Sequence, residues 1–531
     1  MAVDKRLTGD SPSVDDQFVL ENIIDVPVDE EVMPEDISVI EDDEGGVTVD
    51  FDPSQMMGAD SSDDFFANLA ETVESRELTK LGSDLIGFYR DDKQGRKDWE
   101  MTYVEGLDLL GFKYEEREQP FKGASGISHP LLAESVVQFQ AQAYKELLPP
   151  DGPVRTQIMG AISPESEKQS QRVKEYMNYQ ITDVMEEYDP DMDQLLFYLP
   201  LAGSAFKKVY YDESLQRAVS KFVACEDLIV PYTTTDLQSA ERITHVVHMN
   251  VNDVRKMQIS GFYRDVDIFP ETMTVSDTQS KLDDLQGERP GSHDEEYIFL
   301  ECHVDLDLLG YEDTDEMGEP TGVRLPYIVT VDETSGQVLA IRRNWVPEDE
   351  SMKKKQYFVH FKFLPGLGFY GFGLIHMIGG LSRSATSILR QLIDAGTLAN
   401  LPAGFKARGI RIRDDDEPLS PGEFRDVDSP GGNLRDSLLP LPYKEPSATL
   451  FQLLGLIIQS GQRFSAISEL PISENGLNRE MPVGTTMALL ERGTKVMSGI
   501  HKRLHHAQRL ELKLLATVFS EYLPPDYPYN V

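Results

Sequence analysis

Apolar side chains recur at steps of three and four along Leu374, Ile378, Leu381, Ala385, Ile388, Leu392 and Ala395. This spacing predicts a helix of about 22 residues, roughly 33 Å long, with one apolar face. Gly371 and Gly373 precede it as an expected hinge, Asn400 and Pro402 stop it, and Arg383 and Arg390 stand two turns apart on a more polar face. Such a helix needs a partner surface. Strand-like segments flank it on both sides, so the pattern suits a strut that buries its apolar stripe against copies of itself.

Elsewhere the period switches several times. Residues 78–111 read as helical with a break near Gly95, then 131–148, 165–187 and 189–199 read as three helices separated by Pro- and Gly-rich punctuation. Alternation predicts strands at 206–211, 218–223 and 243–249, followed by a short helix capped by Asn252 or Asp253. Residues 265–296 are acidic and without clear period. Four further strands are expected at 297–306, 325–331, 338–343 and 357–364, forming a small antiparallel unit before the long helix. After it come an alternating basic strand at 405–413, a turn-rich stretch to Tyr443, a helix at 447–463 apolar nearly all round, and a final helix at 485–523 closed by Pro524-Pro525. The fold class is α+β.

Composition changes this picture in one place. The formal charge is −42, and residues 1–75 hold 22 acids against Lys5 and Arg6 alone, a net of −20. Like-charge repulsion and few aromatics predict a largely disordered arm over residues 1–70. So acidic a chain does not bind DNA by neutralising phosphates, which argues against a repressor or nuclease clamp but not against a surface along which DNA slides. Cys225 and Cys302 exclude a disulfide framework and a four-thiolate metal site, and both read as small buried apolar residues. No apolar run approaches bilayer-spanning length, and Met1–Asp10 lacks the apolar core of a secretory signal, so a cytoplasm-like setting is expected.

Candidate enzyme chemistry is sparse. Gly366-Leu367-Gly368-Phe369-Tyr370-Gly371 matches a dinucleotide fingerprint between a strand and a helix, but the acidic partner expected about 20 residues on would fall inside the helix at Asp394. No Gly-Lys pair exists, so a Walker loop is absent. His501 and His505 are spaced one turn apart without an evident third metal ligand, and among Lys502, Arg503 and Arg509 they read as a solvated basic face. No catalytic residue, metal site or cofactor is assigned.

Several strings, in order, resemble portal proteins of tailed double-stranded DNA bacteriophages. Phe121-Lys122-Gly123-Ala124-Ser125, His129-Pro130-Leu131-Leu132, Phe139, Glu146-Leu147 and Gly152-Pro153 look like that family's N-terminal wing signature. Gly371-Phe372-Gly373 with the long helix, then Pro402-Ala403-Gly404, look like its second stem helix. Pro430-Gly431-Gly432, Leu439-Pro440-Leu441-Pro442 and the helix from Ser447 resemble the approach to the tunnel loop and the long wing helix.

The resemblance implies a ring, generally of twelve subunits, at one capsid vertex of the virion, assembled in the host cytoplasm. It also implies passage of double-stranded DNA without sequence specificity, and docking of terminase and then a head-tail adaptor. The major capsid protein and a scaffolding protein are candidate contacts; no membrane is involved. Carried over, the chain divides into an acidic arm (1–70), a helix-rich wing or core (71–245), a candidate first stem helix with an acidic connector (246–295), an antiparallel clip (296–364), the second stem helix (365–400), a core strand with the tunnel-loop region (401–446), and wing or crown helices with the tail (447–531). Arg383 and Arg390 become DNA-channel candidates, with pairing to acids of an adjacent subunit as the open alternative; Arg435 and Lys444 become tunnel-loop candidates. A neck or baseplate adaptor without DNA in its bore is the alternative function, and a nucleotide-binding enzyme the third.

Overall fold

Within residues 65–531 helices come first, the strands of the two larger sheets follow, and further helices return towards the end. The computed structural model describes residues 65–158, 163–272, 277–287, 295–314, 320–347, 349, 351–400, 444–464 and 483–522, with short strands at 39–41, 47–49, 404–406, 411–412, 427–428 and 438–440. Residues 1–64 form one unit and 65–531 another. In the first, β1 (Val39–Glu41) pairs antiparallel with β2 (Val47–Val49), so the arm expected to be largely disordered contains a strand pair. Its boundary also moves: Leu69 and Ala70 are buried in the second unit.

The helical body of that second unit contains α1 (Ser75–Gly95), α2 (Lys97–Leu107), α3 (Leu131–Leu147), α4 (Pro164–Tyr179) and α5 (Tyr188–Ala202). Local chemistry sets several of these ends. Ser163 and Ser166 cap α4 reciprocally, each hydroxyl accepting the other's backbone N–H at 3.1 and 2.9 Å, and Pro164 opens the first turn. Gly203, at φ +88°, ends α5 in the left-handed region.

Strands β3 (Ser204–Asp212), β4 (Arg217–Val223), β5 (Leu228–Ile229) and β6 (Arg242–Asn250) follow, then α6 (Val251–Ile259), β7 (Glu271–Thr272) and α7 (Asp277–Gln286). Next come β8 (Glu295–Leu306), β9 (Leu325–Asp332), β10 (Val338–Arg343) and β11 (Phe358–Lys362). The last stretch has α8 (Leu374–Asn400), β12 (Gly404–Lys406), β13 (Arg411–Ile412), β14 (Val427–Asp428), β15 (Leu438–Pro440), α9 (Ala448–Phe464) and α10 (Val483–Tyr522). Helices and antiparallel sheets coexist in one body, as the α+β expectation has it.

Two expected domains are redrawn. The sheet runs β10-β9-β8-β6-β5 with β7 on β8, and β6 pairs with β8 from Arg242↔Val304 to Asn250↔Glu296. A clip over 296–364 would cut this ladder, because alternation locates strands but not their partners. The clip's last strand, β11, leaves for a second sheet, β11-β3-β4. The described residues of 246–295 hold the short helices α6 and α7, the latter tied to the helical body through Thr278 to Glu100 at 3.0 Å, and among them there is no long first stem helix. The large sheet is covered on one face by Leu78, Leu85, Ile86 and Tyr89 of α1, and on the other by Val254, Tyr263 and Ile268. Its β10 edge is closed by residues 65–71: Asn68 donates to Leu339 O at 3.1 Å and accepts from Ile341 N at 3.0 Å, satisfying an edge that would otherwise be open.

The main core joins Phe139, Leu196, Leu199, Phe206, Phe361, Ile378, Leu504 and Leu515, from six elements. Within it, Lys207 Nζ meets Glu511 Oε1 at 3.1 Å, both fully buried; Ser220 Oγ donates to the same oxygen at 2.7 Å and the ammonium lies 3.9 Å from the Tyr188 ring centroid. That buried pair fixes α10 against β3, since separating it would strand a charge in the core.

Where β11 gives way to α8, backbones nearly touch. Ser204 Oγ accepts from Gly371 N at 2.7 Å, and Gly203 O from Phe363 N at 3.0 Å. A Cβ on Gly371 would stand 2.4 Å from Gly203 O, and one on Gly373 2.1 Å from Leu201 O. The two glycines are therefore contact points without room for a side chain, not a hinge. Nearby, Arg96 lies buried between α1 and α2 and donates to Cys225 O at 2.7 Å, Leu228 O at 3.0 Å and the Tyr370 hydroxyl at 3.2 Å. Tyr198 donates to the Glu226 carboxylate in the same cluster.

Gly373→Ala destabilises the chain by about 2 to 3 kcal/mol in urea denaturation, whereas Gly380→Ala, with nothing within 4 Å of the added Cβ, stabilises it by about 0.5 to 1 kcal/mol. Burial, with Asp227 adjacent, pushes the Glu226 carboxyl from 4.5 up to about 7. The folded chain thus holds a proton that the unfolded chain releases, and stability falls as pH rises from about 4.5 to 7. Glu226→Gln flattens that slope, recovering on the order of 2 kcal/mol at neutral pH; an unchanged pH profile would remove Glu226 from the account.

Candidate functional site

Helix α8 spans 27 residues, a little longer than its hydrophobic period predicts. Its stripe is used up inside its own chain. Leu374, Ile375 and Ile378 enter the main core, where Gly106 of α2 leaves room for Ile375: a Cβ there would meet it at 2.1 Å. Ala385 and Ile388 are buried with Leu454 of α9, and Leu389, Leu392, Leu450, Ile457 and Ile458 pack around them. Leu381 is half-buried. The expectation that Leu374, Ile378, Leu381, Ala385, Ile388 and Leu392 wait for a neighbouring copy is thus corrected: α2, α3, α5 and α9 supply the partner surface. Periodicity shows that a face must be covered; it does not show by what.

The two arginines also find partners within the chain, and unequally. Arg390 pairs with Glu115 at 2.9 Å, donates to Ile127 O at 2.7 Å and Gly126 O at 3.3 Å, and reaches Ser128 Oγ at 3.2 Å, with its side chain 17 % exposed. Arg383 meets Glu105 at 3.4 Å with both side chains about two-thirds exposed, a pair worth little in water. Of the two DNA-channel candidates, only Arg383 remains open to an outside ligand. Neither pairing needs an adjacent subunit.

Sequence reasoning missed the residues beside them. Asp394 Oδ1 accepts from Ser125 N at 2.7 Å, and Thr386 Oγ1 accepts from His129 N at 3.0 Å. Arg117 bridges Asp394 at 3.7 Å and Ser125 O at 3.1 Å. Together with Arg390 they strap the loop between α2 and α3 onto α8. The usable signal was Asp394 itself, the sole acid in the helix, and buried. Between strap and helix lies a groove of about 700 Å³ lined by Asp108, Glu115, Arg117, Arg383, Gln391 and Leu398 among others. Its charges are balanced: Glu105, Glu115 and Asp394 face arginines, and Asp108 faces Lys281 at 2.5 Å.

The glycine-rich turn offers no phosphate cradle. Gly373 N donates to His376 Nδ1 at 3.2 Å and the Pro200–Gly203 backbone packs against the start of α8, so the helix end is already occupied by protein. Burial lowers the His376 pKa, favouring the neutral ring that this acceptor role needs. Arg435 lies outside the described residues. Lys444 is exposed three residues before Ser447, and part of the expected tunnel loop, Leu438–Pro440, instead pairs with β12. His501 and His505 both contact Glu146, the second at 3.2 Å, and Arg503 donates to Phe363 O at 2.8 Å. The expected solvated face is therefore partly a packing surface against α3. Among the described residues no His, Cys, Asp and Glu group is arranged to hold a metal ion, and no helix is long and apolar enough to cross a membrane.

Arg390→Ala frees the strap and lowers stability by about 1 to 3 kcal/mol in thermal or urea denaturation. Arg383→Ala stays within about 0.5 kcal/mol of the parent; equal losses would contradict the division of roles. No protein-family model and no curated protein sequence matches the chain.

Proposed function

We propose that this chain is one subunit of a ring, the portal through which double-stranded DNA enters and leaves the capsid of a tailed phage. The observation that carries this reading is the charge of α8. In a chain with 92 acidic residues, the outward arc of this helix presents Gly380, Arg383, Ser384, Ser387 and Gln391, and no acid. Short neutral side chains with one exposed guanidinium suit a wall that a polyanion passes without being held, giving weak backbone contacts and no sequence readout.

A conduit requires several copies, and each copy leaves apolar surface for another. Helix α9 carries no charge before Arg463, yet Phe451 is 70 % exposed and Leu456 61 %. The ordered strings from Phe121 to Ser447 support the same role, with terminase, a head-tail adaptor and shell proteins as partners. A second reading, a neck or baseplate adaptor ring without DNA in its bore, is favoured by the internal use of Arg390, which leaves one exposed arginine per copy on this arc.

The full-length chain, examined by native mass measurement and negative-stain imaging, should form closed rings with a bore that admits a DNA duplex. A monomer at micromolar concentration would overturn both ring readings. Rings in which Arg383→Ala leaves DNA packaging and retention unchanged would favour the adaptor.

A further inference from the structure

Two exposed apolar patches border the open face of α8 from opposite sides. On one side α9 turns Phe451, Leu453 and Leu456 outward, 70, 43 and 61 % exposed. These residues belong to the uncharged run Ala448–Gln462, whose other arc is held by Ala385 and Ile388 of α8 and by Leu131, against which Gly461 packs. On the other side the α2–α3 loop exposes Phe112, Tyr114 and Ile127, 58, 62 and 42 %. Gly126 N donates to the Tyr114 hydroxyl at 3.3 Å, which draws the two ends of this loop together, and Arg390 pins Ile127 through its carbonyl.

At 3.6 residues per turn, the α8 residues that face α9 (Ala385, Ile388, Leu392) and those that grip the loop (Thr386, Arg390, Asp394) lie on nearly opposite sides of the helix. The open arc with Ser384, Ser387 and Gln391 lies between them.

We infer that these patches are the two halves of one head-to-tail contact, α9 of one copy seated on the Phe112–Tyr114–Ile127 surface of the next. The inference rests on the ring reading above and adds which surfaces close the ring. A contact between unlike patches propagates and forms a ring when its rotation closes, whereas a patch meeting its own copy stops at a dimer. Patches at the two flanks of α8 have a further consequence: side-by-side copies bring their open α8 arcs onto one continuous wall. The occupant is a second copy because the chain itself carries both complementary surfaces. Each sets apolar side chains among polar ones: exposed Gln452, Gln459 and Arg463 share the outward arc of α9, and Lys113, Glu115 and Glu116 flank the other surface.

The test uses two full-length double variants, Phe451→Ser with Leu456→Ser and Phe112→Ser with Ile127→Ser. All four side chains are exposed, so each variant should keep the melting temperature of the parent within a few degrees. Alone, each should fall from ring mass to the 59.8 kDa subunit. Mixed in equal amounts, they retain one intact patch each and should form a species of twice the subunit mass and nothing larger. Rings from either variant alone, or a mixture that stays monomeric, would overturn the pairing. If the unmodified chain forms rings while the variants do too, only this pairing falls; if the unmodified chain is a monomer, the ring reading falls with it.

Discussion

The approach of the backbone at residues 201–203 to that at 371–373 is the constraint on which the rest depends. Gly203, Gly371 and Gly373 each leave less space than one carbon atom needs, and the gap is lined by backbone atoms that cannot swing aside. Because the chain can pass there, β11 pairs with β3 and α8 starts inside the core. Because α8 starts inside the core, its first two turns are spent on Tyr103, Leu107 and Leu199 rather than on a neighbour. What α8 offers outward is then only its polar arc. The apolar surface still unfilled passes to α9, which covers the second half of α8 with one face and exposes the other.

Electrostatics reinforce this division. Several charges inside the body have a close partner of opposite sign: Lys207 with Glu511, Asp92 with Arg242 at 2.8 Å, and Lys208 with Glu301 at 2.6 Å, where the lysine beside Glu301 holds its carboxyl well below the usual range despite burial. The same logic operates around α8, where each acid of the groove faces a cation. A surface balanced in that way exerts little long-range force on a polyanion, while the chain's net −42 suppresses loose association. On the proposed channel reading, sliding without capture needs both conditions.

Much of this was legible in the sequence because period and punctuation are local properties. The strand at 338–343 and the helices at 131–147, 448–464 and 483–522 fall within two residues of their expected limits. Pairing was not legible. A clip boundary at 296 looks natural along the chain, yet β8 finds β6 across it, since alternation at Ile243, His245 and Val247 says which way side chains point and nothing about which strand lies alongside. Glycines misled for a related reason: Gly371 and Gly373 look like freedom when read locally, whereas their role is set by residues about 170 positions earlier. Arg390 and Asp394 illustrate the site itself. Their helical positions were evident, but a strap made largely of backbone donors and acceptors in the α2–α3 loop leaves no compositional trace, because every residue carries those groups.

Stiffness is the remaining consequence. Helix α8 is held at its start by the glycine contacts, along its first half by Ile375 seated over Gly106, and along its second half by Thr386, Arg390 and Asp394 gripping one loop while Ala385 and Ile388 grip α9. Restraints on three sides between Leu374 and Asp394 oppose bending there, since a kink would break backbone hydrogen bonds and the strap together. These contacts tie α8, α9 and the loop into one block. On the proposed channel reading, such a block is a fixed wall to a polymer advancing past it, and resistance to passage is set by the side chains of the open arc rather than by deformation of the protein.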